Sequence, residues 1–410
     1  MNAVLEALQA HADEFIAVRR DIHRHPELGF EEFRTSELVA DRLTQWGYAV
    51  ERGLGGTGVV GQLKRGTGGK RLGLRADMDA LPIVEATGLA HASCHHGVMH
   101  ACGHDGHTAM LLAAAHHLAT QGQFNGTLNL IFQPAEEGQG GAKKMMEDGL
   151  FTKYPCDAIF AMHNMPGHPQ GQLLLRDGAA MASSDNVTIT LEGTGGHGAM
   201  PHCAADPVVA GAAIVMGLQC IVARNIDPLH MAVITVGAFS AGTANNVIPQ
   251  TATLKLSVRS LDCGVRDTLE RRIVELAQAQ AQSYGVRAHV DYQRNYPVLI
   301  NTPAETDFAR QVAVELMGAN RVEPQTRALT GSEDFAFMLE QVPGSYLLIG
   351  NGDGTGDGAN VGHGACMVHN PGYDFNDHNL PIGGAYWALL AQRFLSDSPE
   401  QCRRLAGRDD

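Results

Sequence analysis

A chain of 410 residues is too long for one ordinary hydrophobic core and implies two domains. With 44% hydrophobic and 18% charged residues it has a globular composition, not a disordered or fibrous one. A formal net charge of -14 argues against nucleic acid as a partner, because phosphate recognition needs clustered Lys and Arg.

The first stretch, about 1–45, reads helical, with Leu5, Leu8, Phe15, Ile16, Val39 and Leu43 at helical spacings. Its N-terminus is acidic and lacks a basic region ahead of an apolar block, so it does not read as a signal peptide. Short β-rich runs follow at Gly58–Leu63, Leu72–Leu74, Leu128–Phe132 and Ala158–Met162, with a helix at Thr108–Thr120 between them. That alternation predicts an α/β domain whose mixed, mostly parallel sheet is flanked by helices.

From about Asn186 the pattern changes. Strands at Val187–Leu191, Met231–Phe239, Thr251–Arg259 and Val286–Asp291 interleave with helices at Pro207–Val222 and Val265–Tyr284. The order β-α-β-β-α-β predicts an inserted ferredoxin-like domain over 186–297. A helix around Ala304–Leu316, a strand at Tyr346–Ile349 and a helix at Ile382–Phe394 then return the chain to the first sheet. Residues 1–185 and 298–410 are thus expected to form one domain. Gly350–His363, rich in Gly, Asp and Asn, predicts a loop. No uninterrupted apolar run is long enough to span a bilayer, so no membrane association is expected. The eight cysteines, Cys402 included, follow no framework spacing and read as reduced thiols of a cytoplasmic protein.

The chemistry concentrates in His100-Ala101-Cys102-Gly103-His104-Asp105-Gly106-His107. Glu136 and Glu137 follow one apolar strand and His163 ends another. These are the carboxyl ends of strands, where open α/β sheets place their ligands. Thiolate, imidazole and carboxylate together suit manganese, zinc, cobalt or nickel. Of two adjacent glutamates, one can bind metal while its neighbour handles protons. His369 joins as a ligand candidate because such a site needs more donors. Asp77, Asp79 and Asp105 are candidates to bond a metal-bound imidazole from outside.

The chain resembles the metallo-aminoacylase and carboxypeptidase family of amidohydrolases, in its hippurate hydrolase, N-acyl-amino-acid amidohydrolase and auxin–amino-acid conjugate hydrolase branch. The resemblance rests on His23-Arg24-His25-Pro26-Glu27-Leu28, Arg75-Ala76-Asp77-Met78-Asp79, His100–His107, Gln133-Pro134-Ala135-Glu136-Glu137-Gly138, Met162-His163-Asn164, Gly195–His202, Asn246-Val247-Ile248-Pro249, Gly331-Ser332-Glu333-Asp334-Phe335 and His369-Asn370. It implies Cys102, His104, Glu137, His163 and His369 as ligands of two divalent ions, and Glu136 as the catalytic base. It implies that His197 meets the substrate carbonyl, often from the partner subunit, with Asn246 and Arg259 as substrate contacts. The family's peptidases carry His-x-Asp where this chain has Arg75-Ala76-Asp77, and Cys102 would stand in for the missing histidine.

The expected reaction is metal-dependent hydrolysis of the amide bond of a small-molecule N-acyl amino acid. A dipeptidase or carboxypeptidase using the same site, and a non-enzymatic metal-binding regulatory protein, are the alternatives. A free sheet edge in 186–297 predicts a homodimer through that domain, or a homotetramer.

Overall fold

The computed structural model describes residues 2–354 and 364–396. The chain divides into two compact units. The first takes in the described residues up to Gly178, then Ile300–Arg327 and those from Phe337 on; the second is Ala179–Leu299 with Ala328–Ala336.

The first unit is built on an eight-stranded sheet. Five of its strands are β1 (Ala49–Leu54), β2 (Gly58–Arg65), β3 (Arg71–Asp77), β4 (Gly126–Gln133) and β5 (Ala158–Pro166). The order is β1-β2-β4-β3-β5, followed by Gly344–Gly352, Leu173–Leu174 and Val322–Glu323. β3 runs parallel to both β4 and β5, and Gly344–Gly352 runs parallel to β5. β1 and β2 close one side antiparallel. The sheet is mixed and mostly parallel, as its sequence pattern implied. Leu72, Leu74, Leu128, Leu130 and Phe160 are buried because helices cover the sheet.

One covering helix, His104–Thr120, starts four residues before the sequence pattern suggested. It is buried on nearly all sides, so its first turn, His104-Asp105-Gly106-His107, carries no amphipathic stripe. Gly103, at φ 90°, occupies the left-handed region that leads into it. A side chain there would also collide with Asn164 and Tyr373. Beyond β5 the strand Gly344–Gly352 runs into the stretch expected as a loop; 355–363 and Cys402 lie outside the described residues.

The second unit holds a four-stranded antiparallel sheet ordered Ala232–Ala241, Thr251–Ser260, Ser184–Glu192, Arg287–Tyr296. With helices Pro207–Asn225 and Cys263–Ser283 this is the ferredoxin-like β-α-β-β-α-β arrangement. Asp206 caps the first helix by accepting the Val208 N–H at 2.8 Å, and Asp262 caps the second by accepting that of Val265 at 2.8 Å. Pro207–Asn225 is long and apolar enough to cross a membrane by length and composition alone, although Gln219 and Arg224 interrupt its apolar run. Its Ala210, Ile214, Leu218 and Ile221 instead form a stripe buried in this unit's own core. The edge strand Ala232–Ala241 carries no charged side chain, whereas the opposite edge carries Arg287, Asp291 and Arg294.

Candidate metal centre

Four chain segments of the first unit bring donor atoms together, the last of them carrying His369. Cys102 sits in the turn before the buried helix and His104 in its first turn; Glu136 and Glu137 follow β4, and His163 lies in β5. Cys102 Sγ is 3.3 Å from His163 Nε2. His104 Nε2 is 3.9 Å from Glu137 Oε1, and His369 Nε2 is 3.2 Å from that same oxygen. Cys102, His104 and His163 form one group whose ligand atoms lie within 4.8 Å of one another; Cys102, Glu137 and His369 form another, and His104, Glu136 and Glu137 a third. His369 holds a φ of 63°, unusual for a side chain with a Cβ, and its N–H is tied to the Ala101 carbonyl at 2.7 Å.

Ring hydrogen bonds decide which nitrogens remain for a cation. His163 Nδ1–H donates to the Asn164 carbonyl at 2.6 Å, leaving Nε2 as the lone pair beside the thiol. His104 Nδ1–H donates to Asp79 Oδ1 at 3.1 Å. Its Nε2 is buried and has no hydrogen-bond partner among the described residues. His107 is spent on both sides: Nδ1–H donates to Asp77 Oδ1 at 2.6 Å, and Nε2 accepts the Asn164 N–H at 3.0 Å. His107 therefore braces the cluster and has no free lone pair to offer.

The field of the site is acidic. Against the desolvation of burial, Asp77, Asp79 and Glu137 raise His104 to about 10. Burial, then Glu137, Glu136 and Asp77, push the Cys102 thiol well above its usual range. Burial and the neighbouring His107 hold His163 well below the usual imidazole range, so it is neutral. Carboxylates that hold a proton on a buried imidazole and thiol make a place where a cation replaces protons. The donor set fits borderline divalent ions: a sulfur, imidazoles, carboxylates, and one buried imidazole nitrogen without a partner.

Asp77 and Asp79 stand next to the cluster, but Asp105 does not bond an imidazole of it. Asp105 pairs with Arg19 at 2.7 Å and with His23 at 2.9 Å. Asp79 is the carboxylate bonded to His104, and its other oxygen accepts the Glu137 N–H at 2.9 Å. Arg75 is buried against Asp77 at 2.7 Å and Gln133 at 2.8 Å. Two further residues tie the segments together, Asn164 and Tyr373, neither of which has a side chain that marks it as part of a metal site. Asn164 donates to the Cys102 carbonyl at 2.6 Å, and its side-chain oxygen accepts the Tyr373 hydroxyl at 2.6 Å. His100, counted in the histidine-rich run, is buried and driven by burial to about 4, hence neutral.

His197, Asn246 and Arg259 lie in the second unit. His197 is exposed in a two-residue strand paired with Val247–Ile248. Its Nδ1 accepts the Ala199 N–H at 3.1 Å, which leaves Nε2–H as an exposed donor. The exposed Asn246 uses its carbonyl on the Gly198 N–H at 2.8 Å. Arg259 is half-buried and donates to Ser332 Oγ at 3.0 Å.

Comparison with known proteins agrees with this site. The hippurate hydrolase of Campylobacter jejuni is 46% identical over 395 residues, covering 96% of this chain and all of that protein (100%). The N-acetyl-L-cysteine deacetylase of Bacillus subtilis is 36% identical, covering 95% of this chain and 90% of that protein. The crystal structure of the Bacillus subtilis YxeP protein, described as a dinuclear metal binding peptidase from the M20 family, superposes with a TM-score of 0.80 at 32% identity, covering 94% of this chain and 99% of that one. Residues 73–393 match the profile of Peptidase family M20/M25/M40. By that match and by identity along nearly its whole length, the chain belongs to Peptidase family M20/M25/M40 and is an amidohydrolase.

Proposed function

We propose that the protein hydrolyses the amide bond of N-acyl amino acids, hippurate-like or N-acetylated, using two divalent ions held by Cys102, His104, Glu137, His163 and His369. The observation that carries this reading is the buried His104 Nε2, without a partner and 3.9 Å from Glu137 Oε1, in a cluster that also holds a thiol. Manganese, zinc, cobalt and nickel all suit these donors. Such ions, when bound, polarise the scissile carbonyl and acidify the attacking water.

The remaining work falls to the chain. Glu136, seven per cent exposed beside Glu137, takes a proton from the attacking water and returns it to the leaving nitrogen. Its neighbour Glu137 is held by Asp79 through the backbone, which separates the two carboxylates' tasks. His197, whose Nε2–H is free, donates to the developing oxyanion. Asn246 and Arg259 meet the rest of the substrate, Arg259 as a cation suited to its carboxylate. The uncharged edge Ala232–Ala241 pairs with its copy in a homodimer, and His197 acts on the partner subunit's site.

A screen of N-benzoyl, N-acetyl and indole-acetyl amino acids beside free dipeptides, with added manganese, zinc or cobalt, tests this reading. Turnover of acyl amino acids well above dipeptides is expected. Preference for dipeptides would make the protein a peptidase instead.

A further inference from the structure

Glu32 is a fully buried carboxyl with no place in the mechanism above. It stands at the N-cap position of helix Phe33–Gln45, yet its side chain makes no capping bond to that helix. One oxygen accepts the Ala135 N–H at 2.8 Å, and the other accepts the Thr57 hydroxyl at 2.5 Å. Burial pushes this carboxyl up to about 7, with the Thr57 hydroxyl opposing and Asp79 adding. A buried carboxyl is costly to keep, so its contacts ask for a reason.

Ala135 supplies one. It precedes Glu136 directly and holds a φ of 51°, a left-handed conformation that is strained for a residue with a Cβ. Its carbonyl is tied as well, by the Gly141 N–H at 3.0 Å. A Cβ at Gly29 would come within 3.1 Å of the Ala135 backbone, so the segment before Glu32 lies against the same turn. The strained turn is thus gripped at its N–H by Glu32 and at its carbonyl by Gly141.

We infer that Glu32 is a positioning residue for Glu136: by accepting the Ala135 N–H it holds the left-handed turn that fixes the direction of the base. This rests on Glu136 being the base. Glu32 touches neither substrate nor the donor cluster and acts only through Ala135.

The test compares Glu32→Ala, Glu32→Asp and Glu32→Gln in the manganese-loaded protein, with hippurate as substrate. Gln keeps an acceptor for Ala135 and an amide for the Thr57 oxygen. Glu32→Gln should keep kcat within about 3-fold, while Glu32→Ala loses roughly 10-fold or more in kcat with KM and bound manganese unchanged. In a Glu136→Gln background the Glu32→Ala change should add no further loss, because the base it positions is gone. Amide exchange read by mass spectrometry needs no turnover. Exchange over residues 134–141 should rise in Glu32→Ala and in the shorter Glu32→Asp, stay at the wild-type level in Glu32→Gln, and be unchanged over 126–133. Unchanged exchange over 134–141 in both Glu32→Ala and Glu32→Asp would overturn the inference. So would an equal loss on adding Glu32→Ala with and without Glu136. A wild-type protein inactive on every acyl amino acid would fail the functional reading, while the exchange comparison would still decide whether Glu32 holds the turn.

Discussion

Asp79 and His104 meet at 3.1 Å, and through that contact one carboxylate orients an imidazole and the neighbouring glutamate together. Its Oδ1 accepts from His104 Nδ1, and its Oδ2 accepts from the Glu137 backbone. Two donor-bearing segments distant in sequence therefore share one brace. Replacing Asp79 by Ala should weaken divalent-ion binding about 10- to 100-fold, as loss of outer partners does elsewhere. Isothermal titration of the chelated protein with manganese measures it. Unchanged affinity would mean that the brace is dispensable.

Glu136→Gln keeps size and polarity but cannot accept a proton at neutral pH. Turnover should fall roughly 100-fold or more with metal content retained. Paired assays of hippurate cleavage and bound metal check this, and near-normal turnover would remove Glu136 from the role of base.

Cys102 is buried and its thiol is held up by burial and by Glu137, Glu136 and Asp77. Without a cation it should be a protonated thiol and a slow nucleophile. Iodoacetamide should label the exposed Cys94, Cys203, Cys220 and Cys263 well before Cys102, in chelated and metal-loaded protein alike. Peptide mapping reads the order of labelling. Early labelling of Cys102 would contradict its environment.

Arg19 is buried among Asp105 at 2.7 Å, Asp374 at 2.6 Å and Asp377 at 3.4 Å. Removing it as Arg19→Met strands the buried carboxylate of Asp105 and the partly exposed one of Asp374, and should cost about 3–5 kcal/mol in urea unfolding. The sign with pH follows from Asp374, which Arg19 and His91 hold down at about 2 against the desolvation of burial. A carboxyl lower in the folded state than its ordinary 3.8 stabilises fully above that value, and the contribution is lost as pH falls through about 2. The variant should lose this acid slope. An unchanged slope between pH 4 and pH 2 would rule out the pairing as its source.

Mixing Glu136→Gln with His197→Ala asks whether His197 serves the partner subunit. If it does, exchanged dimers regain one working site with an intact Glu136 and an intact His197. If it serves its own chain, every site keeps one lesion and no activity returns.

Much of the fold is legible in the sequence because buried strands are apolar runs. Leu128–Phe132 and Ala158–Met162 fall inside β4 and β5, and the alternation of Val187–Leu191 marks a strand with one face in the core. The start of the His104 helix is not legible, because its first turns are buried on all sides and show no stripe. Residue type marks Cys102, His104, Glu137 and His163, since few other roles gather sulfur, imidazole and carboxylate. Chain adjacency misleads at Asp105: one residue along a helix is a turn of about 100°, which carries it away from His104 and onto Arg19. Asn164, Tyr373 and Glu32 act through contacts that only folding creates. The segment 328–336 joins the second unit by the same kind of contact, Ala182 N–H to the Gly331 carbonyl at 2.9 Å.

The most direct measurement follows bound manganese and hippurate release together as ion is returned to chelated protein. No cleavage is expected without ion, turnover should appear as two ions bind per chain, and Glu136→Gln should bind equally without turnover. Undiminished cleavage after complete chelation, or two bound ions with no cleavage of any N-acyl amino acid, would contradict the proposed hydrolysis.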